Sequence, residues 1–173
     1  MKNLWFLFWL AISGSAMGQP SVKIHAYSQV MMPGTVPKDV TDENGNLVNV
    51  KRELPVNYYI YAVHVVSAKI SFSEVWINGK YYKIQTNHVD TTPVVNINYN
   101  IPDNPVKVVL VPATKLRVVS IAPVDSPVNK MNPETWLRNM IEHSELVVCY
   151  IYRGKKYYIG VKKIKKLQPV AGI

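Results

Sequence analysis

Few residues of this chain have the chemistry of a catalyst, and the first to consider is its single cysteine. Cys149 lies in the apolar run Leu146–Ile151, where aliphatic neighbours favour a buried, unreactive thiol over an activated one. A nucleophile–base pair would need His143 to meet the thiol in space, and no local motif supports that pairing. We therefore expect Cys149 to be inert.

The four histidines are isolated from one another in the sequence and predict no metal centre. His88 and Asp90 place two possible ligands at one strand end, but two ligands do not complete a site. His64 shares a strand face with apolar residues, so we expect it to be a hydrogen-bonded histidine at the edge of the core. The sequence indicates neither a metal nor a cofactor.

Motifs that identify enzymes are also missing from the sequence. The chain contains no G-x-S-x-G, S-x-x-K, Walker or G-x-G-x-x-G pattern. Most acidic residues fall in predicted turns or in the predicted helix, although a catalytic pair of carboxylates could still assemble from distant loops. The sequence thus favours a protein without enzymatic activity.

Trp76 and Tyr81 are the candidate aromatic binding residues. They flank Asn78-Gly79, which between two apolar runs is the strongest short signal for a hairpin with a type I′ turn. A two-residue turn places Trp76 opposite Tyr81 on one face, beside a pair formed by Glu74 and Lys83. The opposite face of the hairpin is the predicted core side and carries Val75, Ile77, Tyr82 and Ile84.

Two interpretations of this aromatic pair remain open. Aromatic side chains on an outer sheet face stack on sugar rings or anchor a protein partner. A cross-strand aromatic pair also stabilises a hairpin without any ligand, and it becomes core if another element covers it. The predicted outward row of Asn96, Asn98 and Asn100 suggests sugar binding in the same way, and a solvated face explains it equally well.

Positive charge is concentrated at the C-terminal end of the chain. The full chain carries a formal net charge of +9, and no acidic residue follows Glu145. An anionic envelope polymer, an anionic lipid surface or an acidic protein face would suit such a region, and protection of an edge strand against aggregation is the alternative. The candidate binding residues here are Lys155, Lys156, Lys162, Lys163, Lys165 and Lys166.

The first eighteen residues predict a cleaved secretory signal. Lys2 precedes a short apolar segment, and Ala16 and Gly18 supply the small residues of a cleavage site before Gln19. The apolar segment is shorter than the roughly 20 residues that cross a hydrocarbon core, so we expect no transmembrane segment after cleavage. Export argues against a nucleic-acid partner, and it places the protein in the periplasm, at the outer envelope or outside the cell.

The remaining residues, 19–173, are expected to form one β-rich domain. A single cysteine allows no internal disulfide, so apolar packing must stabilise the fold. Short β-prone runs separated by turns predict an antiparallel β-sandwich with an immunoglobulin-like rhythm. The predicted strands outside the Asn-Gly hairpin are Val22–Val30, Asn57–Val66, Val94–Ile101, Val106–Val111, Leu116–Ile121, Leu146–Tyr152 and Tyr157–Ile164.

One short helix is predicted before the C-terminal hairpin. It spans Pro133–His143, with Asn132 as the N-cap and Pro133 at the first helical position. Its apolar face is predicted to carry Trp136, Leu137, Met140 and Ile141.

These features favour an exported, non-enzymatic binding or accessory module of the bacterial cell envelope that recognises a protein or an anionic polymer. The alternatives are a secreted hydrolase with a site built from loops, or a purely structural subunit of an envelope complex.

Overall fold

The computed structural model describes residues 20–32, 54–98, 105–128 and 133–171, and these are mainly β. The signal segment, Asn100 and Asn132 lie outside the described residues. The described strands are β1 (Val22–Met32), β2 (Val56–His64), β3 (Ile70–Ile77), β4 (Lys80–His88), β5 (Val94–Asn98), β6 (Val106–Val111), β7 (Arg117–Val128), β8 (Leu146–Tyr152), β9 (Lys155–Val161), β10 (Lys165–Lys166) and β11 (Val170–Ala171). The described helix is α1 (Thr135–Glu142).

Most of the described strands belong to one sheet. Its order is β10-β1-β2-β7-β4-β3-β8-β9, and β11 also pairs with β1. β1 pairs with β10 and with β11 in parallel, whereas the other pairs of this sheet are antiparallel. β5 and β6 form a separate two-stranded sheet.

The large sheet is strongly curled. β1 and β9 are six strand positions apart, which in a flat sheet would separate them by about 29 Å, since neighbouring strands lie about 4.8 Å apart. Residues of the two strands nevertheless approach within 8 Å, Cα to Cα. The sheet therefore forms a half-barrel, and the predicted sandwich arrangement is not confirmed.

The concave face of this sheet encloses the main apolar cluster. Side chains from strands along the whole sheet meet there, because alternate residues of each strand point to the same face. The buried members are Ala26, Ile60, Ala62, Val75, Ile77, Ile121, Leu146, Val148 and Ile164.

The predicted Asn-Gly hairpin is confirmed. Asn78 and Gly79 have φ values of 48° and 79°, the positive values that a type I′ turn requires. Trp76 lies opposite Tyr81. The residues predicted for the core face, namely Val75, Ile77, Tyr82 and Ile84, all pack in or against the main apolar cluster.

Two elements cover the convex face of the sheet. α1 packs over β3, β8 and β9 through Leu137, which contacts a buried cluster containing Trp76 and Cys149. At the other end, β6 lies against β1, where the Tyr27 hydroxyl donates a hydrogen bond of 2.9 Å to the Leu110 carbonyl oxygen.

The helix begins later than the sequence indicated. Pro133 precedes it, and Glu134 occupies the N-cap position with an extended backbone (φ −51°, ψ 150°). Proline at the first helical position was therefore a wrong expectation, because the extended Glu134 backbone delays the first turn. Trp136, predicted to be on the apolar face, is 49% exposed, whereas Leu137 is buried as expected.

The orientation predicted for β5 is reversed. Val95 and Ile97 are exposed, whereas Asn98 is only 4% exposed. The Asn98 side-chain amide donates hydrogen bonds to the carbonyl oxygens of Gln168 (3.4 Å) and Pro169 (3.0 Å). These acceptors offset the cost of burying a polar amide. The alternating sequence pattern therefore predicted the strand correctly but not which of its faces is buried.

Candidate functional site

The aromatic pair of the Asn-Gly hairpin is buried beneath the helix. Trp76 is 4% exposed, and its ring meets Tyr81 edge-on with centroids 5.4 Å apart. The Trp76 ring also meets the ring of Tyr158 of β9, with centroids 6.1 Å apart. Leu137 of α1 completes the cluster, so stacking of a ligand on Trp76 would require α1 to move away.

Lys156, one of the candidate binding residues, has a partner within the protein. Its Nζ lies 3.2 Å from Oε1 of Glu74, whose side chain is only 6% exposed. This hydrogen bond and the negative charge of Glu74 raise the pKa of Lys156. The backbone pairing of Glu74 with Lys83 is confirmed. The ion pair of Glu74, however, is with Lys156 of β9, the strand beyond β8. Lys156 thus neutralises a buried carboxylate.

Cys149 lies in the same cluster and is fully buried. Burial raises the pKa of its thiol, and the nearby charge of Glu74 acts in the same direction. His143 is exposed at the end of α1, where its Nδ1 lies 2.8 Å from the carbonyl oxygen of Asn139. This environment is that of a structural cysteine rather than an activated nucleophile.

The candidate lysines fall into two groups. Lys155 and Lys156 begin β9, directly after a two-residue turn in which Arg153 and Gly154 have φ values of 51° and 75°. The Arg153 guanidinium lies 5.1 Å from the centroid of the Tyr152 ring. The remaining four lysines lie at the far end of β9 and beyond it, about 20 Å away at 3.3 Å per residue.

This second group lies on and directly after the connection from β9 to β10. The chain leaves β9 after Val161 and returns to pair with β1, placing Lys165 opposite Tyr27 and Lys166 opposite Ser28. Lys165 and Lys166 therefore lie outside the hairpin of β8 and β9 and form β10, at the other end of the strand order.

A buried anchor holds this connection in place. Ile164 is 4% exposed and belongs to the main apolar cluster. Its backbone N–H donates a hydrogen bond of 2.7 Å to Oε2 of Glu145, and the N–H of Leu167 donates one of 2.8 Å to the carbonyl oxygen of Ser28. The flanking lysines are exposed but extend from a fixed backbone.

β1 adds further positive charge beside this connection. The pKa of His25 is lowered by burial and, to a smaller extent, by the positive charges of Lys23 and Lys165. Lys165 also lies over the Tyr27 ring, with Nζ 5.7 Å from its centroid. We call this region the β1–β10 lysine surface, and its exposed members are Lys23, Lys162, Lys163, Lys165 and Lys166.

The histidine and acidic residues form no metal centre within the described ranges. His88 Nε2 lies 3.7 Å from Asp90 Oδ1, and both side chains are exposed. Among the described residues, no three histidine, cysteine or acidic side chains gather in a metal-binding arrangement. The same residues include no helix with the length and apolarity needed to cross a membrane.

His64 is buried, as its position on the strand predicted, and is 1% exposed. Its Nδ1 lies 3.0 Å from the carbonyl oxygen of Val65. What the sequence did not reveal is its neighbour across the sheet, Arg117, because a pairing between β2 and β7 leaves no local pattern.

Comparisons with known proteins provide no identification. No protein-family model matches the chain, and no curated protein and no solved structure matches it significantly.

Proposed function

We propose that this protein is a non-enzymatic binding module that holds an anionic polymer of the cell envelope on the β1–β10 lysine surface. The observation that carries the proposal is the anchored connection itself: Ile164 is buried, and two lysines precede and follow it on the outside of the protein. A fixed backbone lowers the entropy lost when such side chains engage a partner.

Charge supports the same surface. Among the described residues, no ion pair engages Lys162, Lys163, Lys165 or Lys166. Glu145 is the acid that contacts this connection, and its Oε2 accepts the Ile164 N–H. Four lysines next to one carboxylate leave a positive surface that attracts polyanions over about one Debye length.

We further propose that the protein is exported and that its mature form begins at Gln19. The support is the sequence of the first eighteen residues, with Lys2, a short apolar segment and small residues before the cleavage point. Mass spectrometry of the protein isolated from its native cells should find an N-terminus at Gln19. A full-length species beginning at Met1 in the cytoplasm would contradict both export and an envelope partner.

The binding proposal can be tested with dextran sulfate as the polyanion and neutral dextran as its uncharged counterpart. Replacing Lys162, Lys163, Lys165 and Lys166 with Gln should weaken binding to dextran sulfate at least tenfold in 0.1 M salt, while the free energy of unfolding changes little. Binding by the parent should itself weaken steeply towards 1 M salt, since the Debye length falls from about 10 Å to about 3 Å.

A matched variant distinguishes binding at the β1–β10 lysine surface from attraction by the net charge of the whole protein. Lys69, Lys80, Lys115 and Arg138 are exposed and lie on other parts of the protein, and their replacement with Gln removes the same four positive charges. This control should bind dextran sulfate nearly as well as the parent. Equal losses in the two variants would show that only net charge matters, and the β1–β10 lysine surface would then not be a binding site.

A further inference from the structure

The sheet opens between β3 and β4. β3 and β4 pair with each other only through Glu74–Ile77 and Lys80–Lys83; before Glu74, β3 pairs with β8 alone, and after Lys83, β4 pairs with β7 alone. A cleft of about 380 Å³ lies in the resulting gap. This volume is within the range of small-molecule sites in proteins.

The lining of the cleft combines two kinds of surface. Ile70, Phe72 and Val119 supply apolar side chains. Thr86 and Asn87 of the diverging β4 also line the cleft, and the Thr86 side chain, on the same face of β4 as Ile84, supplies a hydroxyl that can donate a hydrogen bond. The polar part of this lining is larger than the apolar part, so a ligand that fits the cleft must carry a polar group as well as an apolar one.

Arg117, which is exposed, lines the cleft and provides its positive charge. It lies directly opposite His64 on β2, and its charge contributes to the lowered pKa of that buried histidine, for which burial is the main cause. The His64 ring in turn lies 6.3 Å from the Phe72 ring, centroid to centroid. Arg117 and Phe72 thus both lie beside His64 and line the same cleft. Within the described residues, no ion pair engages Arg117.

The other titratable groups at the cleft do not neutralise the positive charge of Arg117. His88 lines the cleft, and Asp90 lies 3.7 Å from its Nε2. The Asp90 side chain is 88% exposed, so solvent screens its charge. Arg117 remains the group suited to a carboxylate, which its planar guanidinium can bind through two parallel hydrogen bonds.

We propose that the cleft between β3 and β4 binds a small organic carboxylate, with the carboxylate on Arg117 and a short apolar portion against Phe72, Ile70 and Val119. This site is separate from the β1–β10 lysine surface and does not depend on it. A simple inorganic anion would leave the apolar wall unused, and an uncharged ligand would leave the guanidinium without a counter-charge.

Residue-resolved NMR with benzoate and hexanoate as probes tests the proposal on the mature chain. Both carboxylates should shift the amide signals of Ser71, Phe72 and Thr86–His88, with saturation in the millimolar range or below. Benzamide, the neutral counterpart of benzoate, should bind at least tenfold more weakly. Arg117→Gln should weaken benzoate binding by a similar factor, because it removes the charge-assisted hydrogen bonds.

Two controls make the result decisive. Arg138→Gln removes an exposed positive charge from α1 and should leave benzoate binding at the cleft unchanged. The variant with Gln at Lys162, Lys163, Lys165 and Lys166 should also retain it. The proposal is overturned if neither carboxylate shifts the cleft signals, if benzamide binds as tightly as benzoate, or if a folded Arg117→Gln variant binds benzoate like the parent.

Discussion

The neutral form of the buried histidine on β2 is constrained to one tautomer. A carbonyl oxygen can only accept, so the contact of His64 Nδ1 with the Val65 oxygen places the proton on Nδ1. Nε2 then has a lone pair, and it is buried without a hydrogen-bond partner among the described residues. Protonating Nε2 would create a buried charge close to Arg117, and burial accordingly lowers the pKa of His64.

This lowered pKa makes the fold less stable in mild acid. Below about pH 6.5 the unfolded chain binds a proton at His64 that the folded chain does not yet bind, so the free energy of unfolding falls with decreasing pH until the folded pKa is reached. The loss from this one group approaches about 1.4 kcal/mol per pH unit. Urea unfolding between pH 7.5 and 5.5 should show it, and His64→Gln should flatten the curve. Part of the pH dependence should remain in that variant, because the pKa of His25 is also lowered. A pH dependence that is unaltered by His64→Gln would show that His64 does not cause it.

Cys149 should react slowly with thiol reagents. Its side chain has no exposed surface, and burial raises its pKa, so both access and thiolate content are low at neutral pH. A disulfide reagent should label the native protein only as fast as the protein opens, and the urea-unfolded protein at once. Cys149→Ser should leave polyanion binding unchanged. Rapid labelling of the native thiol would contradict this prediction and would favour the hypothesis that Cys149 is a nucleophile with His143 as its base.

At the scale of elements, local signals predicted local structure. Asn78-Gly79 predicted its turn because only a few residue types accept positive φ at both central positions. Arg153-Gly154 also has positive φ at both central positions, but arginine is uncommon there, so the sequence does not predict this turn or the register that it sets. For β5 the alternation was clear, but the buried side was decided by carbonyl groups of Gln168 and Pro169, seventy residues away.

The cover provided by α1 can be tested at Leu137, the buried residue of this helix. Leu137→Ala should lower the free energy of unfolding by about 2–3 kcal/mol, since it removes buried methyl groups and leaves a cavity over the sheet. Trp76 should become more accessible to acrylamide, measured in a Trp136→Phe variant of residues 19–173, in which Trp76 is the one tryptophan. Arg138→Ala, an exposed change on the same helix, should alter neither quantity appreciably. Unchanged quenching after Leu137→Ala would show that α1 is not what shields Trp76.

At the scale of the whole molecule, the sequence predicted the class but not the arrangement. Val, Ile and Tyr runs are sufficient to indicate a mainly β protein. The curl depends on which strands pair, and pairs such as β2 with β7 and β1 with β10 join distant segments. β10 pairs with β1 in parallel, and parallel strands are not joined by a tight turn whose sequence could predict the pairing. The same reason hid the cleft, which combines strands remote in sequence, and it hid that Lys23 of β1 lies near Lys165, although the sequence had already indicated the lysines of the C-terminal end.

The connection that crosses the sheet to β1 should depend on its one buried side chain. Ile164 inserts into the main apolar cluster, and shortening it to Ala should lower the free energy of unfolding by about 2–4 kcal/mol. The hydrogen bond from the Leu167 N–H to Ser28 should open more often, so that hydrogen exchange at Leu167 becomes faster. Lys163→Ala, the exposed neighbouring change, should affect neither measurement.

The Ile164 variant also distinguishes order from charge on the lysine surface. Ile164→Ala keeps every lysine, so a surface that attracts polyanions only by charge would bind dextran sulfate as before. A surface that depends on a fixed backbone would bind more weakly, because ordering the segment would then cost conformational entropy upon binding. We expect the weaker binding, together with faster exchange at Leu167. If exchange at Leu167 is unchanged, Ile164 does not anchor the segment, and pairing of β10 and β11 with β1 is sufficient to hold it in place.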